Sequence, residues 1–209
     1  MLSSIAAAVT LAKANVSVLT FEGVGNNIAV DNFYNGGTGP NYGIQFSSNA
    51  LGLVDIDAGG SGNFGGEPSP DTGLYFLQAG AATMNVAGGF DTGFSFFYSA
   101  VVFPGTVFVY EGLNATGAIL ASIELPMTPY FAAPDPGGEY SPFVAIGVTF
   151  AGTAMSVDFG GTANYIVFDD ITLGSERPGP PQGVPDSGVT AWMILGGLAG
   201  LVGIARHRK

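Results

Sequence analysis

Turn-forming residues interrupt this 209-residue chain so often that long helices are excluded from most of its length. Glycine occurs 34 times and proline 13 times, and the apolar runs between them are short. Within residues 15–174, no stretch of twelve residues combines a helical apolar stripe with capping residues. Apolar and polar residues instead alternate with a period of two, which is typical of half-buried strands.

This alternation predicts an all-β domain over residues 15–174. Many short strands separated by Gly, Pro, Asn and Asp favour a β-sandwich or jelly roll. The predicted strands cover residues 16–22, 42–46, 51–56, 73–78, 83–86, 93–103, 106–111, 119–125, 143–150, 154–159 and 164–173.

The same region contains no cationic side chain. All five Lys and Arg residues lie outside Asn15–Gly174, which holds fourteen Asp and Glu residues and has a formal charge of −14. Nucleic-acid binding and polybasic attraction to anionic lipid are therefore excluded for this domain. A buried carboxylate here has no side-chain cation to pair with, so it must be hydrogen-bonded, protonated or bound to a metal ion.

Several kinds of catalytic and metal site are also excluded by composition. The chain has no cysteine, which removes disulfides, thiolate metal sites and cysteine nucleophiles. Its one histidine, His207, lies in the terminal tail. A Ser-His-Asp triad and a histidine zinc site therefore lack their components.

Residues 1–14 are expected to be a signal peptide. Leu2–Leu11 is a mildly apolar run, and residues 12–14 fit the small-x-small pattern that signal peptidase reads. Cleavage after Ala14 would leave Asn15 as the mature start. Because a positive region at the front is missing, we expect a truncated signal; the alternative is a short helical cap on the domain.

A linker and an apolar helix are predicted at the other end. The linker over 175–188 holds four prolines and should be extended. Residues 189–205 carry no charge and, as a helix, would span about 25 Å, the short limit for crossing a bilayer. Arg206, Arg208 and Lys209 then form a basic tail expected on the cytoplasmic side. The alternative is a buried core helix, although its four glycines would weaken a soluble helix.

The order of these segments carries a family resemblance. Val184, Pro185, Asp186, Ser187 and Gly188, followed by a glycine-rich apolar helix and a basic end, resemble the PEP-CTERM sorting signal in its VPDSG variant. The residue after the motif is valine rather than the small hydroxyl residue expected of the family. The resemblance implies export by the general secretory route and processing by a membrane-embedded exosortase. It also implies a host that makes extracellular polysaccharide.

Three acids form a candidate calcium site: Glu22, Asp169 and Asp170. Simple alternation in the last strand puts Asp169 on the apolar face that also holds Ile171 and Leu173. Because no cationic side chain is available, Ca²⁺ is a suitable partner for such a carboxylate. The pattern resembles carbohydrate-binding-module-like jelly rolls, which implies a structural calcium joining Glu22 to Asp169, with Asp170 as the alternate. The competing interpretation is a carboxylate held by backbone N–H groups.

Two weaker patterns complete the candidates. Asp55 and Asp57 begin a sequence similar to a calcium loop of the EF-hand type, but Gly66 stands where a bidentate Glu is needed, so only a calcium loop of another kind stays open. Four tyrosines could stack on sugar rings or, as strand aromatics, belong to the core. They are Tyr98, Tyr110, Tyr130 and Tyr140.

Together these patterns predict an exported, non-catalytic protein of the cell surface or extracellular matrix. It would pass through the inner membrane and act by adhesion or polysaccharide association. Its expected partners are signal peptidase, exosortase, the membrane and extracellular polysaccharide. Calcium is the one expected cofactor. A carbohydrate-binding module with a true sugar site is the alternative, and a glycoside-acting enzyme using paired carboxylates is a third interpretation.

Overall fold

The computed structural model describes residues 16–78, 82–130 and 137–179. These residues form two antiparallel β-sheets and no helix, so the prediction of an all-β domain is confirmed. The strands are β1 (Ser17–Leu19), β2 (Ile28–Ala29), β3 (Ile44–Phe46), β4 (Leu51–Val54), β5 (Thr72–Tyr75), β6 (Ala82–Phe90), β7 (Gly93–Ser99), β8 (Gly105–Tyr110), β9 (Ile119–Leu125), β10 (Val144–Thr149), β11 (Ala154–Phe159) and β12 (Val167–Leu173).

The two sheets differ in size and share one core. The first has the order β10-β7-β12-β5-β4-β2, and β1 also pairs with β12; the second has the order β3-β6-β11-β8-β9. Phe159 of the second sheet contacts Phe94, Phe96 and Phe168 of the first, with ring centroids 5.1–6.2 Å apart. The apolar faces of both sheets therefore pack against each other as a β-sandwich.

A β-bulge in β12 changes the expected side-chain directions. The register shifts by one residue between Asp169 and Thr172, and Asp170 adopts a φ of 47°. One extra residue reverses the alternation, so Phe168 and Ile171 both belong to the core. Asp169 follows Phe168 before the bulge and pairs with Phe97, which places it on the opposite face of the sheet. The prediction that Asp169 shares an apolar face with Ile171 is therefore wrong.

The outer face of the first sheet is covered by its own chain. Ser95 Oγ donates to the Ser175 carbonyl at 2.9 Å, and the Gly179 N–H donates to Thr172 Oγ1 at 3.1 Å. A Cβ at Gly147 would lie 2.2 Å from the Glu176 carbonyl oxygen, so only glycine permits this approach. Residues 175–179, the first part of the predicted linker, thus belong to the compact unit that ends at Gly179.

Candidate functional site

Exposed apolar side chains concentrate at one end of the sandwich. This end is formed where β5, β7 and β9 finish and where β12 begins. Six of the eleven large apolar side chains that are exposed in the described residues lie here: Leu77, Val102, Phe103, Met127, Tyr130 and Tyr165. Exposed apolar side chains that lie together on a folded domain are candidates for a binding surface.

A cleft of about 330 Å³ opens at this end. Three tyrosines and three hydrogen-bonding side chains line it, together with two valines. The lining residues are Tyr130, Tyr140, Tyr165, Asn63, Glu139, Asn164, Val101 and Val102. We call this feature the tyrosine cleft.

Backbone hydrogen bonds hold the segments that form the tyrosine cleft. The Tyr140 N–H donates to the Asn63 carbonyl at 3.0 Å, and the Asn164 N–H donates to the Phe76 carbonyl at 2.8 Å. Two residues before Tyr130, the Thr128 N–H donates to the Ala100 carbonyl at 3.1 Å, and the Ala100 N–H donates to Thr128 Oγ1 at 2.9 Å. These bonds fix three loops that are distant in sequence around one concave surface.

The polar groups of the tyrosine cleft are close to its aromatic rings. Asn63 Nδ2 donates to Glu139 Oε2 at 3.0 Å, which orients the carboxylate. Burial raises the pKa of Tyr140, and the nearby Tyr165, Glu139 and Tyr130 side chains raise it further. The cleft therefore brings three tyrosine side chains and one oriented carboxylate together.

The structure separates the four tyrosines that the sequence marks as candidates. Tyr130 and Tyr140 line the cleft, whereas Tyr98 is buried and donates from Oη to the Pro126 carbonyl at 3.0 Å. Tyr110 lies in β8 beside Phe108. Tyr165 also lines the cleft. The sequence does not single it out, because it falls inside the predicted strand 164–173, whereas the strand begins only at Val167.

A second concave region offers a less suitable surface. It has a volume of about 410 Å³ and is lined by polar side chains, among them Gln45, Asn85 and Asn114. Asn85 and Asn114 are bound to each other, with Asn85 Nδ2 donating to Asn114 Oδ1 at 2.9 Å and the Asn114 N–H donating to Asn85 Oδ1 at 2.7 Å. Since these amides already satisfy each other, less of their capacity is left for a ligand.

The predicted calcium residues lie where the neighbour of β12 changes. Along one side of β12, Phe168 pairs with β5 and Ile171 pairs with β1, so Asp169 and Asp170 fall between two partner strands. Glu22 follows β1 in the chain and lies near Asp170. Burial raises the pKa of Asp170, and the nearby Glu22 carboxylate raises it further.

Hydrogen-bond donors from one segment satisfy two of these acids. Glu22 accepts the N–H groups of Asp71 and Thr72 at 3.0 and 2.9 Å. Asp169 accepts the Ser69 N–H at 3.0 Å and the Ser69 hydroxyl at 2.7 Å. The segment from Ser69 to Thr72 therefore connects the beginning and the end of the domain.

This arrangement bears on the calcium prediction. Ca²⁺ requires six to eight oxygen ligands, while the Asp169 carboxyl already accepts three different donors, the third being the Asp170 N–H at 2.6 Å. In the part of the chain that the structure describes, no three His, Cys, Asp or Glu side chains are placed to hold a metal ion together. The donors agree with a carboxylate held by backbone N–H groups, and calcium at Glu22 and Asp169 stays a prediction.

The sorting residues lie outside the described residues. These include the predicted signal peptide 1–14, the motif 184–188, the predicted helix 189–205 and the basic residues Arg206, Arg208 and Lys209. Within residues 16–78, 82–130 and 137–179, there is no helix of the length and apolarity needed to cross a membrane.

Comparisons with known proteins give distant similarities. The chain matches no family model and no curated protein. It is similar to a glycoside hydrolase family 43 arabinoxylan arabinofuranohydrolase from Bacillus subtilis in complex with cellotetraose, with a TM-score of 0.40 and 16% identity over 64% of this chain and 27% of that one. It is also similar to the K3 cleaved adhesin domain of Lys-gingipain from Porphyromonas gingivalis w83, with a TM-score of 0.31 and 16% identity over 77% and 91% of the two chains. This chain thus spans about a quarter of the length of the hydrolase.

Proposed function

We propose that this protein is an exported, non-catalytic component of the cell surface or extracellular matrix whose sandwich domain binds polysaccharide. The tyrosine cleft is the observation that carries this proposal. Sugar rings present an apolar face of C–H groups and a rim of hydroxyls. Tyr130 and Tyr165 offer exposed ring surface to such a face, while Asn63, Asn164 and Glu139 offer partners to the rim.

The described lining of the cleft favours binding over hydrolysis. Glycosidases commonly use two carboxyl groups that flank the scissile bond, either about 5–5.5 Å or about 6.5–9.5 Å apart. Glu139 is the single carboxylate among the described residues that line the cleft. We therefore propose a binding role for it and no catalytic one.

Export and sorting form the second part of the proposal, and the sequence supports them. Signal peptidase would remove residues 1–14, and exosortase would process the chain near the motif 184–188. Mass spectrometry of the mature protein from its native host tests both steps, with Asn15 as the expected first residue and a new end close to the motif. An intact chain recovered from the cytosol, with Met1 and Lys209 still attached, would overturn this part.

Polysaccharide binding is tested with the full chain and an array of purified glycans. We expect at least one neutral or amine-bearing polysaccharide to be retained with a millimolar or lower Kd. Tyr130→Ala should weaken that binding about three- to tenfold, because stacking on one aromatic ring is worth about 0.5–1.5 kcal/mol. Tyr42→Ala is the matched control, since Tyr42 is exposed but stacks on Tyr34 outside the cleft. Absence of binding to every glycan class would refute the proposal.

A further inference from the structure

The charge around the tyrosine cleft limits the ligands that it can accept. Residues 15–174 have a formal charge of −14, and the cleft itself contains the Glu139 carboxylate. The one Lys or Arg in the described ranges is Arg177. It follows Glu176, whose backbone packs against Gly93 at the start of β7.

Arg177 is therefore remote from the cleft. The cleft residue Val101 follows the far end of β7, and at about 3.3 Å per residue the two ends are on the order of 20 Å apart. That separation exceeds the Debye length of about 8 Å at physiological salt. No cation among the described residues can offset the repulsion between this cleft and a polyanionic glycan such as a polyuronate.

The composition of the cleft suits a positively charged group. The faces of tyrosine rings attract ammonium groups through their quadrupole, and the attraction is stronger when the group is desolvated. Tyr130, Tyr140 and Tyr165 supply three such rings, and Glu139 supplies an anionic partner beside them. The Asn63 amide holds one oxygen of that carboxylate at 3.0 Å, which reduces the ordering cost of binding.

We propose that the tyrosine cleft recognises the protonated amine of an amino-sugar polysaccharide. This inference rests on the proposed polysaccharide binding and names its ligand class. The ammonium group lies against the tyrosine rings and pairs with Glu139, while the sugar ring that carries it stacks on Tyr130 or Tyr165. N-acetylation removes the charge and adds bulk, so an acetylated chain loses both contacts of the ammonium group.

Isothermal titration calorimetry with short oligomers tests this inference without the multivalency of a polymer. The full chain, in a sugar-free non-ionic detergent, is titrated with β-1,4-linked hexamers of glucosamine, N-acetylglucosamine and glucose and with an α-1,4-linked hexamer of galacturonate. We expect the glucosamine hexamer to bind at least about fivefold more tightly than the N-acetylated hexamer, and the galacturonate hexamer not to bind. The preference for the amine should decrease as sodium chloride rises from about 50 to about 500 mM.

Glu139→Gln is the decisive variant, because the amide keeps the size of the side chain and removes its charge. It should reduce glucosamine binding about fivefold and reduce binding of the glucose hexamer by less, because the amide can still hydrogen-bond to hydroxyl groups. Glu111→Gln is the matched control, since Glu111 is exposed beyond the opposite end of β8 and makes the same change in net charge.

The possible outcomes separate this inference from the proposed function. Equal binding of the amine and acetylated hexamers, or an amine preference that persists in Glu139→Gln, overturns the inference and leaves polysaccharide binding intact. Failure of all four hexamers to bind, together with an empty glycan array, overturns both.

Discussion

Two buried aspartates in this domain have similar burial and very different surroundings. Asp55 and Asp169 are both 0% exposed, and burial raises their pKa values to about 7 and about 8. Asp169 is surrounded by donors, namely the N–H and hydroxyl of Ser69 and the N–H of Asp170. Asp55 receives the Ile56 N–H at 2.7 Å on Oδ1, while its buried Oδ2 accepts no hydrogen bond from the residues that the structure describes.

The neighbours of the two carboxyl groups explain what each can do. The donors around Asp169 lower its pKa, whereas the Asp57 and Glu67 carboxyl groups raise that of Asp55. Asp169 therefore acts as a fixed connector between β12 and the segment that precedes β5. Asp55 lies in a loop with a concentrated negative charge, where a proton or a cation relieves the repulsion.

Removing each carboxyl group should change the free energy of unfolding by very different amounts, and this is the largest effect that we expect. Asp169→Ala leaves the Ser69 and Asp170 N–H groups buried without an acceptor, and we expect it to lower the free energy of unfolding by about 3–5 kcal/mol. Asp55→Ala should cost less than about 1.5 kcal/mol, because the Ile56 N–H also donates to the Gly62 carbonyl at 3.0 Å. Urea denaturation of both variants at neutral pH measures the two values. Equal losses of unfolding free energy would show that the donors around Asp169 do not make it more important for stability than Asp55.

The sequence predicts the part of this architecture that depends on local pattern. Period-two alternation and turn residues locate most of the strands, because both act within a few residues. Strand β2 is missed, since two residues are too few for a periodic signal. The face of Asp169 is wrong because the bulge at Asp170 adds one residue, and a positive φ at an aspartate has no distinct sequence signature.

The tyrosine cleft could be predicted only in part, because its members come from separate loops. Tyr130 and Tyr140 are visible as candidates in a segment rich in proline, but Tyr98 and Tyr165 both fall inside predicted strands, and of these two Tyr98 is buried while Tyr165 lines the cleft. What separates them is the position of each residue relative to the end of the sheet, which depends on long-range pairing. The nearness of Asn63 to Glu139, 76 residues apart, is likewise a product of the fold.

Calcium provides a second way to compare the two aspartates. If Glu22 and Asp169 hold a structural Ca²⁺, calcium at about 100 times its Kd should stabilise the protein by about 2.7 kcal/mol and raise Tm by roughly 5–10 °C. The rise should vanish in Glu22→Gln and Asp169→Asn and persist in Asp55→Asn. The reverse pattern would place calcium in the loop that begins at Asp55. No rise in the parent protein or any variant would remove the metal from both sites.

The smallest expected effect is on the dependence of stability on pH, to which both carboxyl groups contribute, because the pKa values of Asp55 and Asp169 both lie above the ordinary value of 3.8. A folded-state pKa of about 7 for Asp55, above its ordinary value of 3.8, means that the folded protein binds the extra proton between these values. The stability from this proton is fully present below pH 3.8 and is lost as pH rises through 7.

Asp55→Asn removes that titration and the repulsion from Asp57 and Glu67. We therefore expect the variant to be about 2 kcal/mol more stable than the parent protein near pH 8, a value reduced because solvent screens the charge of the exposed Asp57. The unfolding free energy of the variant should also decline less between about pH 4 and about pH 8.

Asp169→Asn should instead be less stable than the parent throughout, because an amide NH₂ then faces the donors of Ser69 or Asp170. Asp91→Asn, at an exposed turn, controls for the change in net charge. An Asp55→Asn curve parallel to that of the parent would show that Asp55 does not titrate in this range.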